Sequence, residues 1–407
     1  MKSKKFNNEI LIVNQYASLF HENNSSRHLR LKKILEEGGW RVTIVACYHS
    51  HLSQDRLEFN KLVKPKNNQI KFVAGFSSSR NFFIRFLNTL IFSIKILFLP
   101  VRRKTLIWGS SPDPVVAFSA FILSKIKKCI FIYEVRDVWP DSIVEINGFS
   151  PFHPYVFLCN FIENLLLKKC DVVVSTLKNY DIRLDQNEIQ KKFIYVPNFM
   201  LFAEVEKHFS LISSETKVRL IYSGSIGLAN SLDVLIEGVI LAKSEYDIDI
   251  SLDIYGDGPE LPSLKNRYAL IDHINFLGVL QKSKLRNIYK NYDLGVISWL
   301  DKPVYRYGIS PSKIPDYLSM GLPILMAFRG SHPIRDYQAG FLCDPQSPLE
   351  IAILLCKYKH LSNYEKNVLR SNAIRCTKEQ FTERFFKKRL YKELSKLNEA
   401  RNLNLNF

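Results

Sequence analysis

The chain has 407 residues, with 57 Lys or Arg against 39 Asp or Glu, a formal net charge of +18. Hydrophobic residues make up 46%, aromatic residues 13%, and there are only 16 Gly and 17 Pro. Such a chain can bury a core, which excludes wholesale disorder, collagen-like repeats and coiled coils, and its length suits two domains.

The N-terminus, MKSKKFNNEILIVNQ, has a basic start but no uninterrupted apolar run before Asn14, so it reads as a cytosolic strand rather than a signal peptide. Strand-length apolar runs lie at 9–13, 41–47, 70–73, 105–108, 129–135, 171–176 and 192–197. Five more lie at 218–224, 250–256, 274–278, 293–298 and 323–327. Helical patterns separate them, which indicates parallel sheets covered on both faces. The pattern occurs twice, around a polar connection at 198–217. The expectation is two doubly wound α/β domains, 1–198 and 199–377, facing a cleft. Ser25 or Ser26 can cap a first helix through Arg27, Leu31, Ile34 and Leu35, ended by Gly38 and Gly39. A last helix in 378–407 places Phe381, Phe385 and Leu390 at helical spacing and is expected to return to the N-terminal domain.

The charge is uneven. Residues 1–200 hold 29 basic and 16 acidic side chains, and residues 201–407 hold 28 and 23. Between Glu58 and Asp113 there are ten bases and no acid, interleaved with Phe72, Phe76, Phe82, Phe83, Phe86, Phe92 and Phe98. The longest apolar stretch, 82–100, is interrupted by Arg85, Asn88 and Lys95, so it suits an interface better than a span. Segment 59–112 is therefore read as docking on an anionic membrane, with a core helix bearing a solvated basic face as the alternative. The seven cysteines are scattered without a C-x-x-C pair. That argues against a disulfide framework or zinc site and fits a reducing cytoplasm.

Three constellations could carry chemistry. In YGISPSKIPDYLSMGLPIL (307–325), Ser312 is placed to cap a helix with Pro315 in its first turn, leaving Lys313 beside free N–H groups as an anion site. A solvated Lys on an ordinary strand–helix unit fits equally. In LIYSGSIGLANSLDVLIEG (220–238), Gly224 and Gly227 would let the backbone approach a phosphate, although the same spacing serves a simple tight turn. In YEVRDVWPDS (133–142), Arg136, Asp137 and Asp141 leave the carboxyl end of a strand, where site residues gather in such sheets. A structural Arg–Asp pair is the alternative. Other signals fail. Asp247 and Asp249 resemble a D-x-D metal motif but run into an alternating strand, and His49 and His51 lack an acidic or thiol companion. No H-E-x-x-H, G-x-S-x-G, P-loop or G-x-G-x-x-G occurs.

Taken together, eight pieces resemble the family 4 glycosyltransferases of GT-B fold, in the branch that builds bacterial O-antigen and capsular polysaccharides. They are the first strand and helix (11–45), RDVWPDS (136–142), VPN (196–198), YSGSIGLANSLDVLIE (222–237), YGDGPE (255–260), NFLG (275–278), SPSKIPDYLSMGLPI (310–324) and AGFLCDP (339–345). The resemblance implies retaining, metal-independent transfer of a sugar, an N-acetylated amino sugar by preference, from a UDP-sugar to a polyprenyl-diphosphate-linked saccharide. It implies a donor site of Gly224, Ser225, Gly227, Gly256, Ser310, Ser312, Lys313 and Asp316, and an acceptor site of Ser26, Arg27 and Arg136. Asp316 matches the second acid of the family's Glu-x7-Glu motif, and the first falls on Gly308. The family's pyrophosphate-binding Arg and Lys fall on Ser225 and Asn230, and Ser110 and Ser111 stand where a His is frequent. Lys313 then becomes the expected cation on the leaving diphosphate, and Asp137 the polar group at the reacting centre. No cofactor is expected, and the expected location is the inner face of the cytoplasmic membrane. A GT-B sugar-nucleotide epimerase, a basic nucleic-acid-binding protein and a non-catalytic remnant are the alternatives.

Overall fold

A computed structural model describes residues 8–17, 27–47, 70–73, 82–111, 113–206 and 217–404. Strands β1 (Asn8–Val13), β2 (Trp40–Cys47), β3 (Ile70–Val73), β4 (Thr105–Ser110), β5 (Ile130–Val135), β6 (Val172–Ser175) and β7 (Lys192–Tyr195) form one sheet, in the order β3-β2-β1-β4-β5-β6-β7. A second sheet, β10-β9-β8-β11-β12-β13, contains β8 (Val218–Ser223), β9 (Ile250–Tyr255), β10 (Ile274–Gly278), β11 (Leu294–Ser298), β12 (Ile324–Ala327) and β13 (Gly340–Cys343). Every named pairing is parallel. Helices cover both faces of each sheet, which is why a central strand such as β4 is buried at every residue. All twelve expected strands form. The thirteenth, β13, is a four-residue edge strand in which only Cys343 is fully buried.

The order of each sheet reverses once, between β1 and β4 and between β8 and β11. Crevices at the carboxyl ends of such strands are where doubly wound folds hold ligands. In the N-terminal sheet, Ile12 pairs with Trp108 and Val13 with Gly109, so Asn14, Ser110 and Ser111 emerge together at the switch point.

The chain crosses between domains twice, side by side. Met200 bridges Thr382, and the Met200 amide donates to the Phe381 carbonyl. Helix Asn363–Gln380 stops at Phe381, and a separate helix, Glu383–Asn404, begins after Thr382. This corrects the continuous helix expected from Lys378: Phe381 belongs to the C-terminal core, while Phe386, Leu390 and Leu394 enter the N-terminal core. Phe386 packs edge-on against Phe199 at 4.8 Å, and Lys387 pairs with Glu37 at 2.7 Å. Among the described residues no helix is long and apolar enough to cross a membrane.

Candidate active site

A cavity of ≈ 270 Å³ lies between the domains, lined by Arg136, Asp137 and Trp139 on one side and Trp299, Tyr305 and Gly308 on the other. The C-terminal domain reaches across to close it. Val304 and Tyr307 are buried in the N-terminal core. The Val304 amide donates to Glu145 at 2.6 Å, and the Asn179 amide donates to the Tyr307 carbonyl at 3.1 Å. Ser310 also works as a tie, because its hydroxyl accepts from the Asn198 amide at 3.0 Å.

The donor side centres on Lys313. Its ammonium nitrogen is buried without a hydrogen-bond partner, 3.9 Å from the centroid of the Tyr222 ring. Burial alone lowers its pKa from 10.5 to about 7. A Cβ on Gly224 would lie 2.9 Å from that nitrogen, so the glycine is what lets the lysine lie against the turn after β8. Gly256 serves the same turn from behind: a Cβ there would fall 1.8 Å from the Gly224 carbonyl oxygen. Gly256 therefore packs against the site's wall. Gly227 has extended backbone and room for a side chain, and Ser225 is exposed.

Two local expectations are corrected. Ser312 precedes the Lys313–Leu318 helix, but its backbone is already helical and its hydroxyl makes no capping bond. The Gly224–Gly227 turn does not open straight into a helix either. A 3-10 turn, Leu228–Asn230, and a left-handed Ser231 intervene before Leu232–Tyr246. Lys313 thus opens its own short helix and lies against the glycine turn, and the turn after β8 brings no second α-helix end directly to it.

Asp316 is 4% exposed. One carboxylate oxygen takes Lys282 at 2.7 Å, while Oδ1 is buried and has no partner. A buried carboxylate oxygen left open is a preformed acceptor for hydroxyl groups. Gly308, where the resembling family carries its first acid, has φ +98, a conformation that side-chain-bearing residues avoid.

On the acceptor side, Asp137 is exposed toward the cleft. The surrounding walls still raise its carboxyl pKa by desolvation, with Arg136 opposing. Arg136 lines the cavity, its amide donating to Ser111 Oγ at 2.8 Å and its Nε buried without a partner. Asp141 instead pairs with Arg183 at 2.7 Å. Arg27 is a structural residue rather than an open cation: Nε and Nη2 bind Glu134 at 3.0 and 2.8 Å, and further bonds reach the Val196 and Pro197 carbonyls. Ser26 lies outside the described residues.

Behind these residues lies a buried network that the sequence reading missed. Glu134, fully buried in β5, also takes His28 Nε2 at 3.1 Å; Ser110 Oγ sits 3.3 Å from the same nitrogen and accepts from Asn14 at 3.0 Å. Burial alone would raise the Glu134 pKa, but Arg27 first, then His28 and Arg136, hold it well below the usual carboxylate range. Burial in turn lowers that of His28, whose proton on Nε2 goes to the ionised Glu134. The available signal was the acid inside the apolar run CIFIYEV, since a charge there requires a partner.

No protein-family model and no curated protein sequence matches the chain. Solved structures do. HepE from Anabaena, in complex with UDP-glucose, aligns over 95% of this chain and 99% of its own, with TM-score 0.64 and 15% identity. The fold is GT-B. Sucrose-phosphate synthase from Thermosynechococcus elongatus aligns over 97% and 100%, with TM-score 0.70 and 12% identity. The lipopolysaccharide outer core galactosyltransferase WaaB aligns over 95% and 99%, with TM-score 0.58 and 14% identity.

Proposed function

We propose that the chain is a glycosyltransferase that moves a sugar from a UDP-sugar to a polyprenyl-diphosphate-linked saccharide. The observation that carries this reading is the buried, unpartnered Lys313 ammonium on the Gly224 turn, at the carboxyl end of β8. A cation without a carboxylate partner, held against a glycine turn two residues beyond the Gly308–Pro311 wall of the cavity, suits a diphosphate. The HepE structure with UDP-glucose supports the choice of nucleotide.

In this reading the bond from the sugar's anomeric carbon to the diphosphate oxygen breaks, and the acceptor oxygen attaches on the same face of the ring. The acceptor's proton passes to the leaving diphosphate, whose charge Lys313 neutralises. The open oxygen of Asp316 accepts from the ribose hydroxyls. Asp137 and Arg136 flank the reacting centre across the cavity. No metal is invoked, because Lys313 takes the charge-neutralising role. The donor sugar proposed is an N-acetylated amino sugar. An acceptor with a polyprenyl tail stays in the bilayer, so the protein works at the cytoplasmic membrane surface, with segment 59–112 as its first contact.

A panel of nucleotide sugars scored by thermal shift, then transfer to a lipid-linked acceptor, tests the reading. Stabilisation by UDP-sugars and a one-sugar gain in acceptor mass are expected. Isomerisation of the nucleotide sugar without acceptor would point to an epimerase, and stabilisation by nucleic acid alone would overturn both.

A further inference from the structure

After β11 the chain leaves the C-terminal domain, seats itself in the other domain and returns. The seated part is the 3-10 turn Pro303–Tyr307. In such a turn residues three apart share a face, so Val304 and Tyr307 enter the N-terminal core together. The Tyr307 hydroxyl donates to Gln186 at 3.0 Å, and the guanidinium groups of Arg183 and Arg306 lie over its ring at 5.7 and 4.7 Å. Tyr305, between these two anchors, faces another way. It packs against both the N-terminal and the C-terminal core and lines the cavity on the seam between them.

Tyr305 brings to the seam a polar group that the fold does not use. Its hydroxyl is buried without a hydrogen-bond partner, an unfavourable state that a Phe would avoid. Burial first, then the charges of Asp137 and Glu145, hold its pKa above the usual phenol value, so it keeps its proton and stands as a donor. Asp137 is thus close enough to act on the phenol and yet is not bonded to it. Asp137 is also the only acid among the residues lining the cavity. The remaining lining includes the aromatic rings of Trp139 and Trp299, the latter edge-on to Tyr305 at 6.4 Å, and one cation, Arg136. Aromatic walls with a few placed polar groups make a ligand site. A donor and an acceptor with a gap between them are both satisfied by a group that accepts from one and donates to the other. An alcohol hydroxyl does both.

We propose that Tyr305 is a sugar-binding, specificity-determining residue: its phenol donates to one non-reacting hydroxyl of the sugar being transferred, and that hydroxyl donates to Asp137. The sugar is that of the donor, because Ala229, on the turn that follows Gly224 and Gly227, lines the same cavity. This inference deepens the proposed function and rests on its nucleotide-sugar donor. It also gives the seated turn a purpose. The phenol belongs to the domain that holds the donor, and the Val304 and Tyr307 anchors carry it to Asp137 in the other.

The test compares wild type with Tyr305→Phe, which removes the oxygen and keeps the ring. Calorimetry is run with UDP, with UDP-glucose and UDP-N-acetylglucosamine, and with the singly deoxygenated analogues of whichever of the two binds tighter. UDP affinity is expected to agree between the proteins within about twofold, while UDP-sugar affinity falls about five- to tenfold in the variant. One deoxy analogue should bind wild type about tenfold or more weaker than its parent, and that gap should shrink about fivefold in Tyr305→Phe. Loss of an unpartnered buried hydroxyl should leave the ligand-free variant at least as stable in thermal unfolding. Equal UDP-sugar affinity in the two proteins, or a gap that persists for every analogue, overturns the inference and leaves the UDP-sugar reading standing. Equal losses for UDP and UDP-sugar together with a lower Tm would show a structural phenol, and would also overturn it. A wild type that binds neither UDP nor any UDP-sugar refutes the proposed function and this inference with it.

Discussion

Replacing Lys313 with Met separates stability from ligand binding in opposite directions. A nitrogen whose pKa falls from 10.5 to about 7 costs about 5 kcal/mol to hold charged there, at 1.36 kcal/mol per pH unit. Contact with the Tyr222 ring returns about 2 kcal/mol. Met fills a similar volume over the same ring without the charge, so the ligand-free variant should be more stable by about 2–3 kcal/mol at pH 7 or below. Because the folded pKa lies below the unfolded one, wild-type stability falls as pH drops from 10.5 through about 7. The Met variant should lack that slope. Binding should change the other way: losing charge-assisted bonds to the diphosphate costs about 3 kcal/mol, roughly 150-fold in UDP affinity. Denaturant unfolding and calorimetric titration measure the two quantities on the same samples. A Met variant that is less stable without ligand and still binds UDP normally would refute the phosphate role of Lys313.

Four further outcomes follow from the same geometry. UDP affinity should fall about tenfold per pH unit above about 7, as Lys313 loses its proton in the free protein, with proton uptake on binding visible by calorimetry in two buffers. Gly308→Ala should cost about 1–2 kcal/mol in thermal unfolding, since φ +98 strains any side chain. Arg27→Met leaves Glu134 buried without its main partner and should cost about 3–5 kcal/mol, largely recovered by adding Glu134→Gln. Asp137→Asn should leave stability and UDP affinity in place while lowering the transfer rate by about tenfold or more.

The sheet centres were legible because apolar strands buried on both faces leave an unbroken signal, as β4, β6 and β12 do, whereas β13 has a single fully buried residue. The break at Phe381–Thr382 carries no Gly or Pro. It is set by partners far away in sequence, the Phe202 amide on Glu383 and the Phe381 carbonyl on Met200, so periodicity alone ran through it. At the site, the residue types of Lys313, Asp316 and Gly224 were readable, but their partners were not. Tyr222 under Lys313 comes from a strand, β8, and Lys282 on Asp316 from the start of another helix, Lys282–Ile288. Arg27 shows the opposite limit, where a cation near the cleft in sequence is consumed by Glu134, 107 residues away.

The central claim is transfer from a UDP-sugar with Lys313 on its diphosphate. Incubation of the full chain with UDP-N-acetyl amino sugars and a polyprenyl-diphosphate-linked saccharide in anionic vesicles, followed by mass spectrometry, addresses it directly. The account predicts an acceptor heavier by one sugar residue and stoichiometric UDP with wild type, and neither with Lys313→Met. Product formation at an undiminished rate by the Met variant, or no turnover of any nucleotide sugar by wild type, would contradict it.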